Sequence, residues 1–227
     1  MKQFLAVILL MGSLTQIQAQ QTVTREVGSF KGIKAAEGID VYLKKGSKES
    51  VRIEANGTNP DNVITEISGT YLKIHMKDMH HRGSIDVKVY VEYVTLDKLS
   101  VSSAASITSE GTIKSGDMEL SASSAGEMKI SLEGEAVQIS ASSAGEIEVK
   151  GKCKSVTAEA SSAGEIDALD LESKSANAQA SSAGSVKIFV TENLTAQASS
   201  GGDVRYRGDP NKSVTNSSSG GSVKKTN

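Results

Sequence analysis

The chain has 227 residues and a formal net charge of -2, too near neutral to point to a nucleic-acid or anionic-membrane partner. Cys153 is the only cysteine, which excludes an internal disulfide and a thiolate metal cluster. Aromatic residues make up 4% and Trp is absent, so an ordinary globular core would be hard to fill.

The chain opens on a targeting pattern. Lys2 supplies a positive charge, Phe4 to Leu14 is dominated by apolar side chains, and Ala19 puts a small residue at a cleavage position. A run this short cannot cross about 30 Å of hydrocarbon as a helix, so residues 1–19 read as a signal peptide cut after Ala19. With no cysteine nearby, a lipid anchor is not expected. The product would be periplasmic, outer-surface or extracellular in a Gram-negative-type bacterium. No later stretch is long and apolar enough to be a transmembrane segment.

Residues 20–100 alternate at period two, the strand signature. The runs include Ile39-x-Val41-x-Leu43, Val51-x-Ile53-x-Ala55, Leu72-x-Ile74-x-Met76 and Ile85-x-Val87-x-Val89-x-Val91. Turn signals lie between them at Lys45-Gly46, Asn56-Gly57, Ser68-Gly69 and Arg82-Gly83. This part is expected to form irregular first coils, or a cap, for the region that follows.

Residues 101–227 carry a repeat. A Ser-Ser phrase recurs at Ser102, Ser123, Ser142, Ser161, Ser181, Ser199 and Ser218, at spacings of 18 to 21 residues. Alternating apolar residues flank each phrase, as in Val137-x-Ile139-x-Ala141 before and Ile147-x-Val149 after. About 19 residues is too short for a propeller blade, and nothing here has helical periodicity. The unit fits one coil of a parallel β-solenoid, advancing about 4.8 Å per coil. A narrow solenoid admits Ala, Ser, Val and Ile inside, which accounts for the composition. The polar tail from Ser213 to Asn227 reads as a frayed or capped end.

Phe30-x-Gly32-Ile33, Gly38-Ile39-Asp40-Val41-Tyr42-Leu43 and Val51-x-Ile53-x-Ala55 resemble the head GIN domain family, described as candidate auto-transporter adhesin heads of Gram-negative envelopes. Leu72-x-Ile74, Val87-x-Val89 and Leu99-x-Val101-Ser102-Ser103-Ala104 follow in the same order, so the resemblance spans about residues 25–223. It implies a single-stranded right-handed parallel β-helix, an adhesin-like role and no catalytic residues. Asp40 stands where that family's Gly-Ile-Asn would place Asn.

Several side-chain sets invite chemistry. The paired serines from Ser123–Ser124 to Ser199–Ser200 could bind a glycan or order water, but the stronger expectation is that they satisfy corner backbone groups. Glu127, Glu146 and Glu165 should stack in a column with Asp203, neighbours repelling by roughly 0.8 kcal/mol at about 5 Å in water. A bound calcium would relieve that, although the Asp/Gly-rich nonapeptide of calcium-binding solenoids is missing. These glutamates are weak metal candidates, and the expectation is a solvated face. A pectinase-like polysaccharide enzyme needs an acid and a base across one bond, which a monotonous column does not supply.

Asp78, His80 and His81 could ligate zinc, but adjacent histidines in an extended chain point to opposite sides. Cys153 reads as a small filler. Tyr206, between Arg205 and Arg207, reads as a shield over the last coil. The expected function is a secreted or surface-displayed binding or structural module, neither an enzyme nor dependent on a cofactor, with a glycan or surface protein as partner. A pectinase-like enzyme and a self-associating envelope scaffold are the alternatives.

Overall fold

Period-two alternation becomes strand almost throughout the computed structural model, which describes residues 21–77 and 85–226. Residues 1–19, expected from sequence to be a signal peptide, and the Asp78, His80 and His81 set lie outside the described residues. In chain order the first strands are β1 (Gln21–Glu26), β2 (Gly32–Ala35), β3 (Asp40–Lys45) and β4 (Ser50–Asn56). A short 3-10 turn at Pro60–Asn62 leads to β5 (Val63–Ser68), β6 (Tyr71–Met76), β7 (Asp86–Tyr93), β8 (Lys98–Val101) and β9 (Ser106–Lys114). The repeats supply β10 (Asp117–Ala122), β11 (Glu127–Glu133), β12 (Ala136–Ala141) and β13 (Glu146–Ala160). They continue through β14 (Glu165–Ala180), β15 (Ser185–Ala198), β16 (Asp203–Arg207), β17 (Lys212–Ser217) and β18 (Ser222–Lys225).

Two parallel ladders run along this solenoid. The first stacks β6, β2, β8, β10 and β12, then the C-terminal segments of β13, β14 and β15, and finally β17. The second stacks β7, β3, β9 and β11, then the N-terminal segments of β13, β14 and β15, and finally β16 and β18. Equivalent residues of successive coils pair directly, as in Met128 with Ile147 and Ile147 with Ile166. That register keeps every inward position inward, because a slip of one residue would turn the apolar set outside.

The N-terminal half holds two coils and a cap. The β2–β3 coil lies on β8–β9, and β6–β7 lies on β2–β3, so the chain's first coil is second in the stack. Beyond it β4 runs antiparallel to β7, β5 antiparallel to β6, and β1 antiparallel to β4. The reversal ends the parallel stack and covers the edges of β6 and β7. Arg25 of β1 ties the two sides of this cap together: its guanidinium donates to the Val63 carbonyl at 2.6 Å, Thr65 Oγ1 at 3.0 Å and the Pro60 carbonyl at 2.9 Å.

The interior is lined by β-branched and small residues. Ile107, Met128, Ile147, Ile166, Val186 and Val204 form one buried column, and Val101, Ala122, Ala141, Ala160, Ala180 and Ala198 form another beside the corner. Each buried Ile or Val contributes about 1.5–3 kcal/mol. At the far end the filling stops. Ser213, Thr215 and Ser217 take the register of Leu194, Ala196 and Ala198, and all three are exposed. Tyr206 continues the Ile188 column and packs half-buried against the core one coil short of the end, with Lys225 of β18 next in its register, rather than as a shield over the last coil.

The Ser-Ser-Ala-Gly corners differ from their sequence reading. Each is a four-residue turn closed by a bond such as Gly145 N–H to the Ser142 carbonyl at 2.9 Å. Its two central residues, not its glycine, take positive φ: Ser143 at 50° and Ala144 at 59°, the signs of a type I′ turn. The glycine instead faces the coil beneath. A Cβ on Gly145 would sit 2.5 Å from the Ala122 carbonyl oxygen and 2.6 Å from its carbon. The serine hydroxyls are not needed to satisfy the corner backbone, because the ladder does not break there. Ser142 N–H donates to the Ala122 carbonyl at 3.0 Å and Glu146 N–H to the Gly126 carbonyl at 2.9 Å.

The same corner occurs before the repeats begin. Ala35 pairs with Val101 and Asp40 with Ser106, so Ala36-Glu37-Gly38-Ile39 matches Ser102-Ser103-Ala104-Ala105. Glu37 and Gly38 have φ of 66° and 67°, in the slots of Ser103 and Ala104. The Gly38-Ile39-Asp40 phrase is therefore a solenoid corner.

Candidate functional site

Outward-facing positions form columns because each ladder is in register. Ser121 pairs with Ser140, Ser140 with Glu159, Glu159 with Gln179, Gln179 with Gln197, and Gln197 with Asn216. Two residues on in every coil comes the first corner serine: Ser142, Ser161, Ser181, Ser199 and Ser218. The turn swings these serines away from the sheet, and a groove of about 310 Å³ runs between the two columns. Its floor is formed at Ala141, Ala160, Ala180 and Ala198, whose side chains point inward and leave their peptide groups beneath the groove.

The groove repeats its hydrogen-bonding groups about every 4.8 Å along the rod. Serine hydroxyls donate and accept, and the amides of Gln179, Gln197 and Asn216 do both from fixed ends. Glu159 is the one carboxylate among its lining residues. The corner serines were named from sequence; the Ser121-to-Asn216 wall was not. Its signal was there, since a polar residue stands two positions before each corner serine on the outward phase of the strand.

The acidic column also forms. Glu127 pairs with Glu146, Glu146 with Glu165, Glu165 with Ser185, and Ser185 with Asp203. Basic side chains from the next column lie across it: Lys129 Nζ is 2.6 Å from Glu127, and Lys187 Nζ is 2.7 Å from Glu165 and 3.3 Å from Asp167. Arg205 Nε is 2.8 Å from Asp203. These cationic groups relieve the repulsion a metal ion would otherwise offset. The bond to Glu127 holds Lys129 above the usual lysine range, and the bond to Glu165 does the same for Lys187. Among the described residues no three His, Cys, Asp or Glu side chains converge as a ligand set. At the head of the column Asp40 accepts a bond from Ser106 Oγ at 2.6 Å.

Cys153 is buried, and burial pushes its thiol up to about 11, which leaves it protonated and unreactive at neutral pH. His75 lies on β6 with Nδ1 3.0 Å from the Met76 carbonyl oxygen.

The family described as "Putative auto-transporter adhesin, head GIN domain" matches residues 29–210. Among solved structures, one described as a putative adhesin from Bacteroides fragilis superposes with a TM-score of 0.81 at 16% identity, covering 92% of this chain and 98% of its own. Another putative adhesin, from Parabacteroides distasonis, gives 0.72 at 18% identity with coverage of 92% and 98%. A third, described as a putative lipid binding protein from Parabacteroides distasonis, gives 0.66 at 20% identity with coverage of 92% and 97%. At these identities the likeness is one of fold. No functionally curated protein matches the sequence.

Proposed function

The chain belongs to the head GIN domain family of auto-transporter adhesin-like proteins, and from that premise we propose that it is an exported, non-catalytic binding module that holds an extended polar ligand along the serine–glutamine groove. The observation that carries this is the groove's repetition: the same pair of hydrogen-bonding positions recurs on coil after coil with a continuous floor. A linear polymer with its own short repeat can engage such a track at many points, so weak single contacts sum through multivalency. The targeting pattern of residues 1–19 supports export. A lipid tail suits the groove poorly, because both walls are polar.

A polysaccharide-cleaving enzyme has less support. Glycoside hydrolysis uses two carboxyl groups about 5–10 Å apart across one bond, and Glu159 has no second carboxylate beside it among the groove-lining residues.

The test is a glycan-array and surface-protein binding screen on the chain from residue 20, repeated with a Gln179→Ala/Gln197→Ala double variant. Binding that the double variant weakens supports the groove, whereas binding it leaves unchanged would overturn the assignment. A reducing-sugar assay on the bound polysaccharide covers catalysis: turnover lost on Glu159→Gln would replace this reading with the enzymatic one.

A further inference from the structure

The N-terminal coils carry a second groove with different chemistry, on the other ladder. Tyr42 and Tyr90 are outward-facing neighbours across β3 and β7, their ring centroids 5.2 Å apart and their planes 21° from parallel. The Arg52 guanidinium lies over the far side of Tyr90, 3.9 Å from its centroid, and is itself ion-paired with Glu54. Tyr90 is thus held between a cation and a second ring, while Tyr42 has one covered face. The next residue in that column is Thr108, whose side chain is too short to reach across the outer part of a phenol ring.

Beside the rings runs a groove of about 320 Å³, whose opposite wall carries Ser50, Glu92, Lys44 and Glu110. Glu110 arrives there because β9 has two extra residues against β11 between its pairings at Thr108 and Thr112. Among the described residues neither Lys44 nor Glu110 has an ion-pair partner, and both are exposed. With only five Tyr, three Phe and no Trp in the whole chain, two stacked tyrosines on an outer face are not a by-product of a general aromatic surplus.

We propose that this groove is a saccharide-binding site, in which a pyranose ring packs its C–H face on the free face of Tyr42 while Lys44, Glu92 and Glu110 bond its hydroxyls. An aromatic ring offers a large, rigid, partly apolar surface at low entropic cost. A hydroxyl both donates and accepts, so a wall alternating carboxylate acceptors with an ammonium donor matches a row of them. The mixed signs favour a neutral sugar over an anionic one. A peptide fits less well: β4, β7 and β3 are already paired on both edges, which leaves no backbone ladder to extend. The site stands independently of the serine–glutamine groove.

Calorimetric titration with cellohexaose, xylohexaose, mannohexaose and laminarihexaose tests it, with tyrosine fluorescence as a second signal. For a sugar that binds, Tyr42→Ala should weaken affinity about tenfold or more, the loss of one stacking contact. Glu110→Gln, on an exposed bulge where folding is not at issue, should weaken it severalfold, and Tyr42→Phe should largely retain it. Gln179→Ala should leave it unchanged. Failure of all four sugars to bind, or binding untouched by Tyr42→Ala and Glu110→Gln, overturns the proposal. Loss on Gln179→Ala alone would overturn it while leaving the serine–glutamine groove standing.

Discussion

Two neighbouring residues of one corner should respond to substitution in opposite directions. Gly145→Ala places a Cβ 2.5 Å from Ala122 O, 2.6 Å from Ala122 C and 2.8 Å from Ser123 N, all backbone atoms of the coil beneath. Relief requires the two coils to part, which strains the ladder bonds from Ser142 N–H to Ala122 O and from Glu146 N–H to Gly126 O. Overpacking of this kind costs about 1–3 kcal/mol and each of the two weakened bonds adds about 0.5–1.5 kcal/mol, so a destabilisation of about 2–6 kcal/mol is expected. Ala144→Gly should do the reverse. Ala144 is exposed and holds φ at 59°, a conformation that costs a non-glycine residue about 1–2 kcal/mol. Glycine removes that strain and returns about 0.5–1 kcal/mol as unfolded-chain entropy, for a net gain near 0.5–1 kcal/mol. The chain makes this exchange itself at Gly201 and Gly220, with φ of 75° and 76° in the same slot. Gly126→Ala should cost less than Gly145→Ala, since its nearest approach is 2.9 Å. Urea unfolding followed by circular dichroism reads all three. A neutral Gly145→Ala, or a destabilising Ala144→Gly, would refute the assignment of strain and close approach within the corner.

Other outcomes follow from single contacts. Arg25→Ala removes three hydrogen bonds from a side chain about one-quarter exposed and should destabilise by roughly 2 kcal/mol, with early hydrogen exchange in β1 and partial rescue by Arg25→Lys. Cys153 should resist a thiol reagent at pH 8 in the folded protein and react at once on unfolding. Its folded value of about 11 lies above the free-thiol value, so the stability it contributes is complete below about pH 8.5 and is lost as pH rises toward 11. A urea midpoint that rose over that window would contradict the burial. Calcium against chelator should leave the melting temperature of the native chain unchanged, because Lys129 and Lys187 already neutralise Glu127 and Glu165. A calcium-dependent rise would reopen the acidic column as a cation site.

The repeat made the ladders legible because every coil has to place its inward residues over those of its neighbour. Met128, Ile147, Ile166 and Val186 share one phase of one period, and the structure stacks them as that phase demands. The Glu127–Glu146–Glu165 column was readable for the same reason. What the corner glycine does was not legible: close approach of two backbones selects it, and Ser and Ala bear the positive φ. Ile39 and Ala105 take the same slot on the β2–β3 and β8–β9 coils, second and third in the stack from the N-terminal cap. The Tyr42–Tyr90 pair left no periodic trace. It forms only because β6–β7 stacks outside β2–β3, an order that reverses the chain's own sequence.

That reversal also explains why the two grooves differ. One outward column runs Thr24, Arg52, Tyr90, Tyr42, Thr108, Lys129, Glu148, Asp167, Lys187 and Arg205, by direct pairing at each step. From Lys129 onward it is a ladder of mixed charge beside the acidic column, whose basic members Lys129, Lys187 and Arg205 pair with carboxylates of that column. Before Thr108 it belongs to coils built from non-repeating sequence, and there it carries rings and a guanidinium locked face to face. A repeating corner fixes which columns exist but forces near-uniform chemistry on them. The irregular coils at the capped end are free of that constraint, so a pocket with a specific shape is more readily built there than on the regular rod.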